Sequence, residues 1–546
     1  MKKRKIYWYI AFCFTLLFFM VPDVGAGWEE MEVLKDNFDI DTTPRQQWYP
    51  HVVYNPIENE FMGVWRTDGV LRIDCDPDDQ YECINNFAEI NGRRISPEGE
   101  LLGDLLQWSP AELGFKMIPR IDHNVFTNEY IVGFSNGTTY TDTEIYIGRV
   151  NSAGDVVSMP ESLYEGGEGA GHINIVFNPD KREYLVLYND RHIFNDYQNN
   201  VGFILNENGD PVHGPFEVGN QLGDMYAPSA AYNPTNNTYL VVWEDFRHVD
   251  DWMYDPCDAY GALLDANGNM IAEIPVMDDY FDNNGMPGGA DQRVPVPVYN
   301  PDKNEFLVAW RDDRPTLDNY GIMGRFIDPD GTPKGPEFVL LDGPGMQGTI
   351  EMHYLEEEKK YFATWTDTRN AIDPGMYYFI SDNADIYARW FDDTGSPIGD
   401  EIPICLSPDV QQQSEMAYNP VMKRFLITWY DKNPVDDYEI PPDMPIMFGP
   451  SPSDVKGTIY GAPSFLSGRV IDRAGNPVED AWALVIGPSL PALKKTNIGG
   501  WFNIGKKSQA EGTYLVVAFK LGYPIGIQLV NYTGDPLKAT MEMNKR

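Results

Sequence analysis

Residues 293–342 set the pattern for most of the chain. RVPVPVY (293–299) and EFLVAW (305–310) are short apolar and aromatic runs separated by the polar tip NPDKN; GIMGRFID (321–328) and GPEFVLLD (335–342) follow, joined through DPDG. Runs of this length, bounded by Asn, Asp, Pro and Gly, predict four antiparallel strands linked by turns. The quartet recurs. Aligned on the residue that opens the polar corner, Tyr54, His123, Phe177, Tyr232, Tyr299, Tyr354 and Tyr418 each stand seven positions before an aromatic: Phe61, Tyr130, Tyr184, Tyr239, Phe306, Tyr361 and Phe425. Four positions later comes a second aromatic: Trp65, Phe134, Tyr188, Trp243, Trp310, Trp365 and Trp429.

Five of the seven copies read Tyr/Phe-Asn-Pro at the corner, where Pro fixes φ and Asn bonds local backbone. Copies spaced by roughly fifty to seventy residues fit propeller blades, with the aromatics filling the gaps between neighbouring blades. The third-to-fourth turns SPEG, NSAG, NENG, DANG, DPDG and DDTG end in the Gly that a tight hairpin needs, and they lack the alternating ligands of a calcium loop. The seventh copy has MAYNP (416–420), RFLITWYD (424–431) and KGTIYGAPSF (456–465), but no fourth strand. WEEMEVLKDNFDI (28–40) precedes the first copy and has the character of an orphan fourth strand. The expected fold is all-β: a seven-bladed β-propeller over 27–463, closed by an N-terminal strand that removes the open edges, followed by a small β-sandwich over 464–546.

Residues 1–26 have the order of a secretory signal, with Lys2, Lys3, Arg4 and Lys5 before an apolar stretch that ends near Gly25-Ala26. The competing interpretation is an uncleaved N-terminal anchor, and after cleavage no further apolar run is long enough to span a membrane. The protein is thus expected to be secreted, periplasmic or held at the cell surface. Removing the signal's four basic residues and one acid (Asp23) leaves 37 basic residues against 82 acids, a formal charge of −45. Such an excess excludes nucleic acid and disfavours anionic membranes as partners. Cys75 and Cys83, within CDPDDQYEC, are spaced to close a small loop disulfide in an oxidising compartment.

The second-to-third loops are long and all different, as in YNDRHIFNDYQNN and EDFRHVDDWMYDP, and rich in Asp, Asn, Tyr and Trp. Variable loops on a rigid scaffold are where binding sites concentrate. At their roots stands Trp-x-Asp-x-Arg: Asp245/Arg247, Asp312/Arg314 and Asp367/Arg369, with the shortened Asp190/Arg191. These are candidate ligand-gripping residues, similar to the arginines with which sialidases hold a carboxylate, though the sialidase Ser-x-Asp-x-Gly-x-Thr-Trp box is absent. Recurrence in blade after blade argues instead that each Arg pairs with a neighbouring Asp and ties down its loop. His192 and His248 follow two of these arginines; with Tyr197 and Tyr254 they are the candidate general base and acid. His51, His172 and His353 fall on inner strands, where a histidine is expected to be a hydrogen-bonded core residue. No motif demands a cofactor; calcium is the metal left open, as a bridge to anionic substrates.

From Ser464 the pattern changes. Gly468, Val470, Asp472, Gly475, Pro477, Val478, Ala481 and Val485, then Thr496, Gly500, Phe502, Gly512, Tyr514, Val516, Gly522 and Tyr523, resemble a carboxypeptidase regulatory-like (transthyretin-like) domain. That resemblance covers about the last 80 residues. It implies a small β-sandwich without catalysis of its own, accompanying exported enzymes, receptors and surface proteins. The repeats are similar to those of exported bacterial proteins with Tyr-Asn-Pro…Trp-x-Asp-x-Arg blades, a pattern that carries no defined activity. Two function classes remain. One is a non-catalytic binding or adhesion protein that holds a glycan or extracellular protein on the long-loop face. The other is a carbohydrate-active enzyme, a polysaccharide lyase or glycosidase, working on the same face. The sequence leaves the oligomeric state open.

Overall fold

The computed structural model describes residues 28–43, 46–68, 88–109, 115–137, 142–164, 168–191, 193, 197–219, 223–248, 256–277, 290–314, 317, 320–371, 383–408, 410–432, 453–489, 491–506 and 509–543. The signal segment, Cys75, Cys83, His192 and Tyr254 lie outside them. Among the described residues the chain is all-β, apart from one short 3-10 turn at Trp28–Glu30. No described helix is long and apolar enough to cross a membrane.

Six four-stranded antiparallel sheets, each made of four consecutive strands, follow one another from Gln47 to Cys405. Their first strands are Gln47–Asn55, Phe115–Asn124, Glu168–Asn178, Met225–Asn233, Gln292–Asn300 and Gln347–Leu355. A further sheet takes Val410–Asn419, Arg424–Lys432 and Ser453–Gly461, and its fourth strand is Glu32–Asp41 from the other end of the chain. That pairing is antiparallel, from Glu32 opposite Gly461 to Asp41 opposite Val455.

Large buried aromatics wedge each sheet against the one before it. Trp243 packs on Leu185, Leu187 and Ile204 of the third sheet, and Trp310 on Leu240, Val242 and Ile274 of the fourth. Trp429 lies against Phe362 and Trp390 of the sixth. Trp65, of the first sheet, completes the series against Leu426, Val455 and Ile459 of the seventh. All four indoles are at most 1% exposed, so truncating any of them would cost about 3–5 kcal/mol.

The polar corner adds a second link, which local turn chemistry does not predict. Asn55 Oδ1 accepts the Ile57 and Glu58 amides at 2.9 and 3.0 Å, the expected local bonding. Its Nδ2 reaches the next sheet, donating to Tyr130 Oη and Asn128 Oδ1, both at 2.9 Å. Asn178 does the same to Tyr239 Oη and Asn237 Oδ1, and Asn300 donates to Tyr361 Oη at 3.0 Å. Where the following aromatic is Phe, the tip Asn alone accepts: Asn233 donates to Asn304 at 2.9 Å, and Asn419 donates to Asn59 at 3.0 Å, joining the last sheet to the first. The accepting residues Asn59, Asn128, Asn237 and Asn304 hold φ between 50° and 57°, a left-handed turn position that Asn tolerates.

The third-to-fourth turns follow hairpin chemistry. Asp265 Oδ1 accepts the Asn267 and Asn269 amides at 2.8 and 2.9 Å. Gly268 sits at φ +85°, and a Cβ there would come within 2.4 Å of the Phe216 ring.

Beyond Gly461 the strand breaks at Ala462-Pro463, so Ser464 and Phe465, expected in the seventh copy's third strand, begin a separate unit. Trp501–Gly505, Ser464–Ile471 and Leu537–Glu542 form one sheet; Ala492–Lys495, Trp482–Ile486, Gly512–Phe519 and Gly526–Tyr532 form the other. Phe465, Val485, Phe502, Tyr514 and Met541 fill the space between them. The unit docks on the first sheet's corner turn: Asn497 Nδ2 donates to Pro56 O at 2.8 Å and Trp501 Nε1 to Ile57 O at 2.9 Å.

Asn178→Ala removes both inter-sheet donations at one corner and leaves buried acceptors unpaired. It is expected to destabilise the protein by about 2–4 kcal/mol, and Tyr239→Phe by about 1–2 kcal/mol, in equilibrium denaturation. Equal effects from the two variants would refute the inter-sheet role of the amide.

Candidate functional site

The Trp-x-Asp-x-Arg residues form a repeated clamp inside single sheets. Arg247 Nε and Nη2 donate to the two oxygens of Asp245, each at 2.7 Å, and Nη2 also reaches Glu273 Oε1 at 2.8 Å. Trp243 Nε1 donates to the same Asp245 at 2.8 Å, and the guanidinium lies 3.7 Å from the Tyr260 ring centroid. Arg314 grips Asp312 at 2.8 and 2.7 Å and reaches Glu337 at 3.3 Å; Arg369 grips Asp367 at 2.9 and 2.6 Å and pairs with Glu401. Each clamp thus ties the end of the second strand to a carboxylate on the fourth. Asp245, Asp312 and Asp367 are at most 2% exposed. The carboxylates hold the arginines charged, pushing their pKa values further up. In the shortened copy Asp190 is buried, whereas Arg191 is exposed and lines the central cavity.

His248 stands beside Asp258 of its own sheet, with Nε2 4.0 Å from Oδ2, and Tyr197 is half exposed. Neither lines the central cavity. Among the described residues no group of three His, Cys, Asp or Glu side chains is placed to hold a metal ion.

The polar groups that do converge come from the first strands. Each of these strands carries a β-bulge, seen as a register shift between Trp48 and His51, Met117 and Arg120, Gly171 and Asn174, Tyr226 and Ser229, Arg293 and Val296, Gln347 and Ile350, and Gln412 and Glu415. In six of the seven the bulge holds a non-glycine residue in the left-handed region: Tyr49, Ile118, His172, Ala227, Val294 and Gln413, at φ 46° to 54°. For β-branched Ile118 and Val294 this is a costly conformation, worth about 1–3 kcal/mol of strain each. The bulge brings residues five and three positions before the corner to one cavity. The position at minus three is His51, Arg120, Asn174, Ser229, Val296, Glu351 and Glu415 around the seven sheets, and all of them line it.

This cavity encloses about 740 Å³. Arg120 Nη2 lies 3.3 Å from Glu415 Oε1, and His51 Nε2 lies 3.9 Å from Glu415 Oε2. His353 Nε2 lies 3.8 Å from Glu351 Oε1 and donates to Met416 O at 3.0 Å. Across the cavity Glu244 accepts the Val294 amide at 2.8 Å and Arg293 Nη1 at 3.3 Å. Tyr49, Tyr226 and Phe246 supply aromatic wall. Burial, with the neighbouring Glu415 adding to it, pushes the Glu351 carboxyl well above the usual carboxylate range, against the pull of Arg120. Burial also raises Glu415, again opposed by Arg120. Desolvation depresses His51, His172 and His353; Arg120 depresses the first two further. Thus His51 and His172, read from sequence as core residues, line the cavity, and His353 stands within 3.8 Å of Glu351. Arg120, Glu351 and Glu415 drew no attention in the sequence. The available signal was the position three before the aligned corner, which changes character from blade to blade inside an otherwise constant frame.

Two outcomes test this division between clamp and cavity. Arg314→Lys loses the two-pronged grip on Asp312 and is expected to lower stability by about 1–3 kcal/mol without changing ligand binding. A carboxyl whose folded pKa is raised stabilises the protein below the unfolded value near 4.5, and that contribution fades as pH rises through the folded value. Glu351→Gln is permanently neutral, so its melting temperature should rise relative to wild type at pH 8 and match it near pH 4. A constant difference across that range would contradict the assignment.

No protein-family model matches the chain, and no curated protein matches it either. Solved structures do resemble it. The chain is similar to the Dos1 propeller, with 8% identity over 79% of this chain and 95% of that one and a TM-score of 0.41. It is also similar to the β-propeller domain of the trilobed protease from Pyrococcus furiosus, with 8% identity over 72% of this chain and 91% of that one and a TM-score of 0.37. A third likeness is to a GH43 β-1,3-galactosidase solved with galactodeoxynojirimycin, with 12% identity over 60% of this chain and 95% of that one and a TM-score of 0.34.

Proposed function

We propose that this is an exported glycan-recognition protein: a seven-bladed propeller closed by its N-terminal strand, carrying a carboxypeptidase regulatory-like sandwich. Its ligand enters the central cavity from the side of the second-to-third loops. The sheet that joins Glu32–Asp41 to Ser453–Gly461, the seating of Trp65 on the seventh sheet and the Asn419–Asn59 bond support the closed ring. The observation that carries the ligand assignment is the lining of the cavity. Its 740 Å³ falls within the range of about 300–1,000 Å³ typical of small-molecule sites. Guanidinium donors (Arg120, Arg191, Arg293), carboxylate acceptors (Glu244, Glu351, Glu415) and aromatic faces (Tyr49, Tyr226) surround one space. That mixture suits the hydroxyl-covered edges and apolar faces of sugar rings. The formal charge of −45 that remains once residues 1–26 are removed favours a neutral or amino sugar over a polyanion, unless calcium intervenes.

A second reading, glycoside cleavage, draws on one observation. Burial raises both Glu351 and Glu415, and Arg120 lies 3.3 Å from Glu415, so the two carboxyls have unlike surroundings, as a general acid and a general base require.

The purified protein is to be incubated with neutral, amino-sugar and acidic polysaccharides, with calcium and with chelator, while binding and new chain ends are scored together. Binding without new ends, weakened about tenfold or more by Arg191→Ala and Glu415→Gln but not by Arg314→Lys, is the expected result. New chain ends that vanish in Glu351→Gln would replace recognition by catalysis. Binding unaffected by either cavity variant would refute the cavity as the site.

A further inference from the structure

The four-stranded sheet of the C-terminal unit is apolar on both faces. Its inner face, including Val485, Tyr514, Val516 and Ala518, packs in the sandwich core. The strand register places the alternate residues in cross-strand rows on the other side. Leu493 stands opposite Leu484, Leu484 opposite Val517, and Val517 opposite Ile527. Alongside, Ile486 stands opposite Leu515 and Leu515 opposite Leu529, while Trp482 faces Phe519. A solvated antiparallel sheet ordinarily alternates apolar with polar residues, and this one does not. Ile527 is 67% exposed, Leu529 68%, and Leu521, in the adjoining turn, 100%. Among the described residues, the hydrogen bonds and ion pairs to the first sheet come from Arg469, the Asn497–Trp501 turn and Lys538, none of which lies on this face. Contiguous exposed apolar surface of this kind marks an interaction site.

We propose that the occupant is the same face of a second copy, so that two sandwiches stack sheet on sheet about a twofold axis, with the two facing sheets about 10 Å apart. The charge distribution selects this partner. Residues 464–546 carry ten basic residues and six acids, whereas residues 27–463 carry 27 and 76. Contact through the sandwiches keeps the two strongly acidic bodies apart, whereas contact between the acidic bodies themselves would bring like charge together. The rim also carries both signs, with Lys495 paired to Asp480 at 2.6 Å and Lys520 bonded to the Glu479 carbonyl. A mixed rim complements its own twofold copy and gives no uniform attraction to an anionic membrane. Four strands spaced by ~4.8 Å, with about five residues each at ~3.4 Å, give a face of roughly 300 Å². Two such faces with their adjoining turns bury on the order of 600–1,000 Å², which places the dimer in the weak, reversible class.

Sedimentation velocity on the purified full chain over a wide concentration range tests this. Wild type is expected to move from monomer to dimer as concentration rises. Ile527→Lys/Leu529→Lys is expected to raise the dimer dissociation constant about tenfold or more at an unchanged melting temperature. Leu521→Lys, at a fully exposed position that cannot disturb folding, should weaken the dimer in the same direction. A wild type that stays monomeric throughout, or a dimer that survives both variants, overturns the proposal. So does flotation of monomeric protein with phosphatidylglycerol–phosphatidylethanolamine vesicles, which would assign the face to a lipid surface.

Discussion

At Asn55, Asn178, Asn233, Asn300 and Asn419 a buried carboxamide reaches from one sheet to the next, and the remaining architecture hangs on that reach. The corner asparagine needs an acceptor for its own turn and a donor for its neighbour, and among uncharged side chains only an amide has both on one rigid plane. A carboxylate would satisfy the turn but could not donate across the gap. An apolar residue would leave two backbone amides and a buried tyrosine hydroxyl without their partner. The sixth sheet makes the point by exception. There Leu355 replaces the asparagine, the facing residue is Phe425, and the two sit in one apolar cluster. The polar link is replaced by packing as a unit, and no orphaned half of it remains.

That link also explains why so much of the fold was legible. The corner, the two aromatics and the turn glycine recur because every sheet meets the same wedge-shaped gap, so the repeat exposes the strands, their order and the stray N-terminal strand. The Trp-x-Asp-x-Arg motif was legible for the same reason: a group present in several sheets answers to a need that every sheet shares. The inter-sheet role of the asparagine was not legible, because an Asx turn accounts for the residue locally and nothing in one copy points to the next.

The cavity was missed for a different reason. Reading a strand assumes that side chains alternate between two faces, and a bulge breaks that alternation. With one residue in the left-handed region, positions five and three before the corner both turn toward the same space. His51 and His172 therefore look like core residues when counted along the strand but line the cavity in the folded chain. Isoleucine and valine at two of the strained positions indicate that the backbone shape is imposed by the surrounding sheet, since neither residue would choose it.

Clamp and cavity thus divide the labour of the charged residues. Where Asp and Arg recur, each charge is paired inside its own sheet and the pair serves the scaffold. Where the position varies, from histidine to arginine to glutamate, the charges come from different sheets and meet only in the assembled molecule. Glu351 and Glu415 are held away from their preferred ionised state, with one guanidinium opposing the shift. Folding alone gains nothing from gathering three carboxylates, two histidines and three arginines around an open space, and an apolar plug would be more stable. A scaffold this regular supplies an equivalent first-strand position in each sheet at little cost to itself, and the divergence in chemistry among those positions is the observation on which the proposed ligand rests.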